Sequence, residues 1–214
     1  MRKHSWKQTI TQHLKDHSSI YLFVTVLFMM GIVFGAIVVN SLSISQKTDL
    51  YLYISRFFGQ VSKGELTSSN EVFIQSYLHH IKYVALMWIL GISIIGLPVI
   101  LILLFLKGIV VGFTVGFLVN QLKWEGFLLS FVSVLPQNLI IIPALIIMGT
   151  VSVSFSLRLI GQIVVKRANM PFMQFFVRYT AVAVVVCLFI LAASAFEAYS
   201  SPILMKQVVN IINK

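Results

Sequence analysis

The sequence predicts an all-α fold: a polytopic integral membrane bundle of about five transmembrane helices, N-terminus inside and C-terminus outside. Composition, hydropathy, run length and charge placement predict it. Hydrophobic residues make up 58% of the 214 residues and charged residues 10%, against about 25% charged in ordinary soluble domains. The mean hydropathy is +0.95, more apolar surface than one core of this size can hide from water. The apolar residues also fall in long runs, and a spanning helix needs about 20 of them. Finally, Lys and Arg gather in short segments beside those runs, the bias expected of cytoplasmic loops. A soluble enzyme, a disordered chain and a small disulfide scaffold are excluded. The formal charge of +10 suits anionic lipid rather than nucleic acid, because the basic residues form no single polar face. The whole of 1–214 reads as one membrane domain.

Residues 1–19 form a basic cytoplasmic segment. Arg2, Lys3, Lys7 and Lys15 face a single acid, Asp16, and a weak apolar stripe suggests a short interfacial helix. The apolar run that follows is too long, and too poor in a small-x-small cleavage site, for a removed signal peptide. It reads as a retained first span from about Ile20 to Leu42. Gly31 and Gly35 place a small-residue strip on one face of it, where another helix can approach closely.

Residues 43–80 are the longest polar interval and carry no net charge, with Lys47, Arg56 and Lys63 balancing Asp49, Glu65 and Glu71. They read as an extracytoplasmic amphipathic segment. Tyr51, Tyr53, Phe57 and Phe58 supply an aromatic face for a partner or for lipid, and Gly59 is expected to end that helix. Asn70 is the expected cap of a following helix.

The second span is placed at about Tyr83 to Leu106, kinked at Pro98. From Val84 to Val119 the sequence is one long apolar stretch whose single charge is Lys107. As one helix it would run about 54 Å, against about 30 Å of hydrocarbon, so it must turn back. Lys107-Gly108 is the expected hairpin, at the inner lipid surface. The short third span, 108–122, carries Gly108, Gly112 and Gly116 at intervals of four, a ridge for tight helix packing. Trp124 marks the interface in the polar break 120–126.

The fourth span, about Phe127 to Met148, is interrupted by Pro136, Gln137 and Asn138, with Pro143 beyond. Pro136 frees a carbonyl and the two amides offer donors to it. Such breaks also form transport sites. Residues 149–179 are a second basic cytoplasmic segment, with Arg158, Lys166, Arg167 and Arg178 and no acid. A membrane-surface or partly buried helix is expected from Phe155 to Ala168. Thr180 to Ala198 forms the last span.

No catalytic, cofactor or metal site is expected. No span has an Asp or Glu near its centre, Glu197 reads as an interface residue, and the five histidines lack a ligand spacing. The lone cysteine, Cys187, reads as a small apolar residue.

Several segments together resemble the stage II sporulation protein M family of endospore-forming Bacillus-type bacteria. They are the basic start, the run Phe28 to Ser41, Phe57-Phe58-Gly59-Gln60, Leu106-Lys107-Gly108 with the glycine ridge, and Leu135-Pro136-Gln137-Asn138. The resemblance runs essentially end to end. The wider family often has Pro-His-Gly at the break and a Glu before the second proline. Here Gln137 and Asn138 follow Pro136, and Ile142 precedes Pro143, so ionisable chemistry at those positions is not carried over.

The resemblance implies a non-enzymatic scaffold of the engulfment complex in the cell membrane, at the sporulation septum and engulfing mother-cell membrane. Its partners would be the cell-wall hydrolases called stage II sporulation proteins D and P, localised for peptidoglycan remodelling. Two other readings stand beside it: a small-molecule transporter or permease-like subunit using the broken fourth helix, and an inner-face anchor through Arg158, Lys166 and Arg167.

Overall fold

The computed structural model describes residues 17–63, 68–165 and 172–212. All elements among them are helices: α1 Ser18–Ser41, α2 Ile44–Lys63, α3 Ser69–Gly91, α4 Gly96–Ser133, α5 Leu135–Val165, α6 Phe172–Tyr199 and α7 Ser201–Ile212. Four stretches are long and apolar enough to cross a membrane, in α1, α4, α5 and the α6–α7 region. Their outer faces are apolar as well as their inner ones: Leu22, Phe23, Met29, Met30, Leu139, Leu188 and Phe189 are all exposed. An exterior of this kind suits lipid rather than water.

The chain passes five times between two ends. Helix α1 and the first arm of α4 run parallel, because Gly31 meets Gly108, Gly35 meets Phe113, Gly116 meets Ala36, and Asn120 Nδ2 donates to Asn40 Oδ1 at 3.3 Å. Helix α3 returns between them in sequence. It lies antiparallel to α6, with Tyr199 bonded to Asn70 at one end and Tyr179 to Trp88 at the other. Helix α3 is the most polar pass, and the expected count of about five fits these four apolar stretches plus α3.

The apolar run 84–119 does turn back, but not at Lys107. The reversal occupies 92–95, and Pro98 sits in the first turn of α4 instead of kinking a span. Its missing N–H there is one the helix start leaves unpaired anyway. A Cβ on Gly96 would strike the Leu90 backbone, so the tight turn requires glycine. Ser156 of α5 donates to the carbonyls of Gly91, at 2.8 Å, and Ser93, at 3.1 Å. A turn away from water needs such partners. Lys107-Gly108 has none of this: both residues are buried within α4, so the expected surface hairpin is corrected to a mid-helix site. Residues 108–122 are accordingly the second half of a full-length arm.

Helix α4 breaks instead at Lys123, whose φ of 50° lies in the left-handed region. Gly126 then packs against the Leu118 backbone, and 124–133 folds back. This is the polar break read from 120–126, with Trp124 exposed as expected of an interface residue. A one-residue interruption at Val134 immediately precedes Pro136: Val134 keeps helical dihedrals, its N–H bonds Ser130 O and its carbonyl accepts from the Asn138 N–H, so Pro136 stands at the interruption between α4 and α5. Pro143 lies inside α5.

Three further boundaries differ. Helix α2 continues past Gly59 to Lys63, and α3 is capped by Ser68, whose side chain accepts from the Glu71 N–H, rather than by Asn70. Helix α3 runs unbroken through residue 80 to Gly91, so the polar interval and the second span share one helix. The start of 149–179 is no surface segment either: Thr150, Ser152, Ser154 and Ser156 are buried in the second half of α5. Ser152 bonds Tyr179 at 3.0 Å, and that ring stacks on Phe155 at 4.6 Å.

Candidate functional site

Helix α4 carries two different faces. One is the glycine seam, where Gly31 and Gly35 of α1 interlock with Gly108, Gly112 and Gly116. A Cβ on Gly31 would stand 3.2 Å from the Gly108 Cα, and one on Gly35 would stand 2.8 Å from the Phe113 nitrogen. Both are closer than ordinary side-chain contact, so the backbones touch across this seam. The five glycines lie in this seam, with the two sets on facing helices.

The other face of α4 opens on a cavity of about 430 Å³. Ser76, His79 and His80 come from α3, Lys107 and Thr114 from α4, Gln137 and Asn138 from α5, and Glu197 from α6. Helical spacing explains why these residues meet. Val72, Gln75, Ser76, His79 and His80 recur at three- and four-residue steps, as do Lys107, Val110, Val111 and Thr114, so each set lies on one face.

The cavity lies toward one end of the bundle. Its lining on α3 runs from His80 back toward Ser69, and on α4 from Lys107 forward toward residue 122. Lys107 and His80 form its deep end, each 11 residues from the 92–95 turn side, or about 16 Å along a helix. At the end of the bundle away from that turn, α2 and α7 pack together, and α7 also packs against α4 and α6.

Glu197 organises the polar side. It accepts a short hydrogen bond from Ser76 and lies 3.8 Å from His80 Nε2. Ser76 Oγ is also 3.2 Å from Ser194 Oγ. Lys107 is only 6% exposed, and its Nζ stands 5.2 Å from the centre of the Tyr83 ring, a cation–π contact. Among the described residues no carboxylate lies within 4 Å of that ammonium; the ion pair found there joins His80 to Glu197. Two more polar atoms are buried without a partner, His80 Nδ1 and Gln137 Oε1. The Asn138 side chain does not reach the carbonyl of Val132, which Pro136 frees. Its Nδ2 donates instead to Val134 O at 2.7 Å.

Gln137 and Asn138 stand out in the sequence; the residues around them in the cavity do not. Glu197 is no simple interface residue, and Lys107 is no turn. The signal that points to them is the polar stripe from Gln75 to His80 at helical spacing, which belongs to the same helix as the apolar residues after residue 80. Among the described residues no group of three or more His, Cys, Asp or Glu is arranged to hold a metal.

The remaining expected residues lie elsewhere. Tyr51 and Tyr53 are exposed on α2; Phe57 and Phe58 belong to the same helix, their side chains outside the described residues. Arg158 is exposed at the opposite end of the bundle, 3.2 Å from His17 Nε2 and 4.8 Å from the Phe175 ring centre. Arg178 is exposed near the start of α6. Arg2, Lys3, Lys7, Lys15, Lys166 and Arg167 lie outside the described residues.

A family model described as stage II sporulation protein M matches residues 24–202. The chain belongs to the stage II sporulation protein M family. The match takes in both faces of α4, from the seam at Gly31 to the cavity wall at Glu197, so these features lie within the family's domain. Comparison with curated proteins gives no match, and neither does comparison with solved structures. As a member of the stage II sporulation protein M family, the chain is a sporulation membrane protein.

Proposed function

We propose that the chain is a non-enzymatic membrane scaffold of the engulfment complex, at the septum and engulfing mother-cell membrane. It would recruit the cell-wall hydrolases called stage II sporulation proteins D and P for peptidoglycan remodelling. Beyond family membership, the observation that carries this reading is the layer formed by α2 and α7 at one end of the bundle. Tyr53 is 74% exposed and Ile44 85% exposed on α2. Aromatic side chains on a rigid helix are effective anchors for a partner.

The orientation follows from the two basic segments. Residue 18, where α1 starts, and Arg158 on α5 lie at the end opposite α2, joined by the His17–Arg158 contact. With that end cytoplasmic by the positive-inside bias, α2 and α7 face the compartment that holds peptidoglycan. Replacing Tyr51, Tyr53, Phe57 and Phe58 together with serine tests the reading. Co-purification of the two hydrolases from sporulating cells is expected to fall at normal protein level and topology. Undiminished capture would remove the docking role of α2.

A second reading, a small-molecule transporter or permease-like subunit, is favoured by one observation: the interrupted α4–α5 junction brings Gln137 and Asn138 into a polar cavity. Apolar replacement of both amides separates the two. A scaffold keeps its hydrolases; a transporter loses substrate movement.

A further inference from the structure

The cavity beside Lys107 carries an inference that does not depend on scaffolding. Burying a lysine within a membrane bundle is costly, and such residues are ordinarily paired. Here the carboxylate in the cavity is already engaged by Ser76 and His80. The ammonium has an aromatic face at 5.2 Å and no anion within 4 Å among the described residues. His80 is 7% exposed, lines the same cavity, and has an unpartnered Nδ1. The arrangement offers a positive charge and an imidazole at the deep end of a crevice.

Size and lining narrow the ligand. About 430 Å³ exceeds the needs of one small anion. Val72, Val110, Val111 and Val134 share the wall with the polar groups, which suits a molecule with both an anionic and an apolar part. Gln137 Oε1 is a buried acceptor without a donor, and Glu197 accepts only. A ligand hydroxyl or ammonium would satisfy them.

We propose that this cavity binds the phosphate-bearing headgroup of a membrane phospholipid. The phosphate pairs with Lys107 and His80, and headgroup donors reach Gln137 and Glu197. A lysine serves phosphate as a point charge, without the fixed geometry of an arginine fork. The bound lipid enters from the end of the bundle that carries α2 and α7, because the lining extends that way.

The test uses the full chain, purified in detergent and stripped of lipid. Its melting temperature is followed during titration with short-chain phosphatidylglycerol, diacylglycerol of the same chain length, and glycerol phosphate. Phosphatidylglycerol is expected to raise the melting temperature in a saturable way, and diacylglycerol to leave it unchanged. The variant Lys107→Met is expected to weaken the lipid effect at least tenfold. Stabilisation by glycerol phosphate as large as by the lipid would support the phosphate site and assign it to a soluble source. Equal stabilisation by diacylglycerol would overturn the proposal, as would undiminished phosphatidylglycerol binding in a folded Lys107→Met chain. Should that variant not fold, the comparison of the three ligands on the unaltered chain decides alone.

Discussion

Lys107 and Gly108 are neighbours in sequence and serve opposite faces of α4. On the Gly108 face, α1 and α4 meet backbone to backbone, with almost no polar chemistry until Asn40 and Asn120 at the end of the seam. On the Lys107 face, four helices hold each other off around a cavity lined by charged and amide side chains. The seam has no room for a methyl group. The cavity has room for a ligand. One helix can do both because successive residues point about 100° apart, so a glycine repeat of four and a polar set at three and four steps need never collide. The first face packs α1 directly against α4; the second leaves space where a binding function can reside.

The contrast can be broken most severely on the seam. Gly112→Leu would drive a side chain into the Ile32 backbone. Destabilisation by about 3 kcal/mol is expected, at the upper range for overpacking, read as a lost or strongly lowered melting transition and a lower membrane level. A chain that tolerates leucine there would show that the seam is loose. The cavity face should suffer less from a comparable insult. Glu197→Ala removes the acceptor of Ser76 and the partner of His80, and is expected to cost about 1–3 kcal/mol, the range for stranding buried polar groups. A cycle with Ser76→Ala should show that the two losses are not additive.

At the edge of the seam the effects shrink further. Asn40→Ala deletes one exposed interhelical hydrogen bond, and a loss of about 0.6 kcal/mol is expected from measured bonds of this kind. The smallest effect sharpens the comparison by control. Gly161 lies in α5 with nothing within 4 Å of where a Cβ would stand. Gly161→Ala should be neutral or stabilise by up to about 1 kcal/mol through helix propensity. If Gly161→Ala and Gly112→Leu melted alike, glycine position on the bundle would not matter, and the distinction between the faces would fail.

Much of this molecule was legible before its structure. Composition and run length require a helical membrane bundle, because lipid supplies no partners for backbone groups and only closed hydrogen-bonded structures survive there. The glycine repeats read as packing faces because close approach needs the absence of a side chain, and the repeat of four states that requirement directly. Excess length in the run 84–119 required a reversal. Its place was not legible: Lys107 is the one charge in the run, yet the turn falls at 92–95, where Ser156, 63 residues further along the chain, supplies hydrogen bonds to the carbonyls of Gly91 and Ser93. The cavity was invisible for the same reason. Ser76, Lys107, Asn138 and Glu197 are separated by tens of residues, and each alone resembles an ordinary polar residue near a helix end. Periodicity fixes which face a residue occupies on its own helix. Which faces meet, and whether they meet as contact or as cavity, is decided only by how the helices pack against one another.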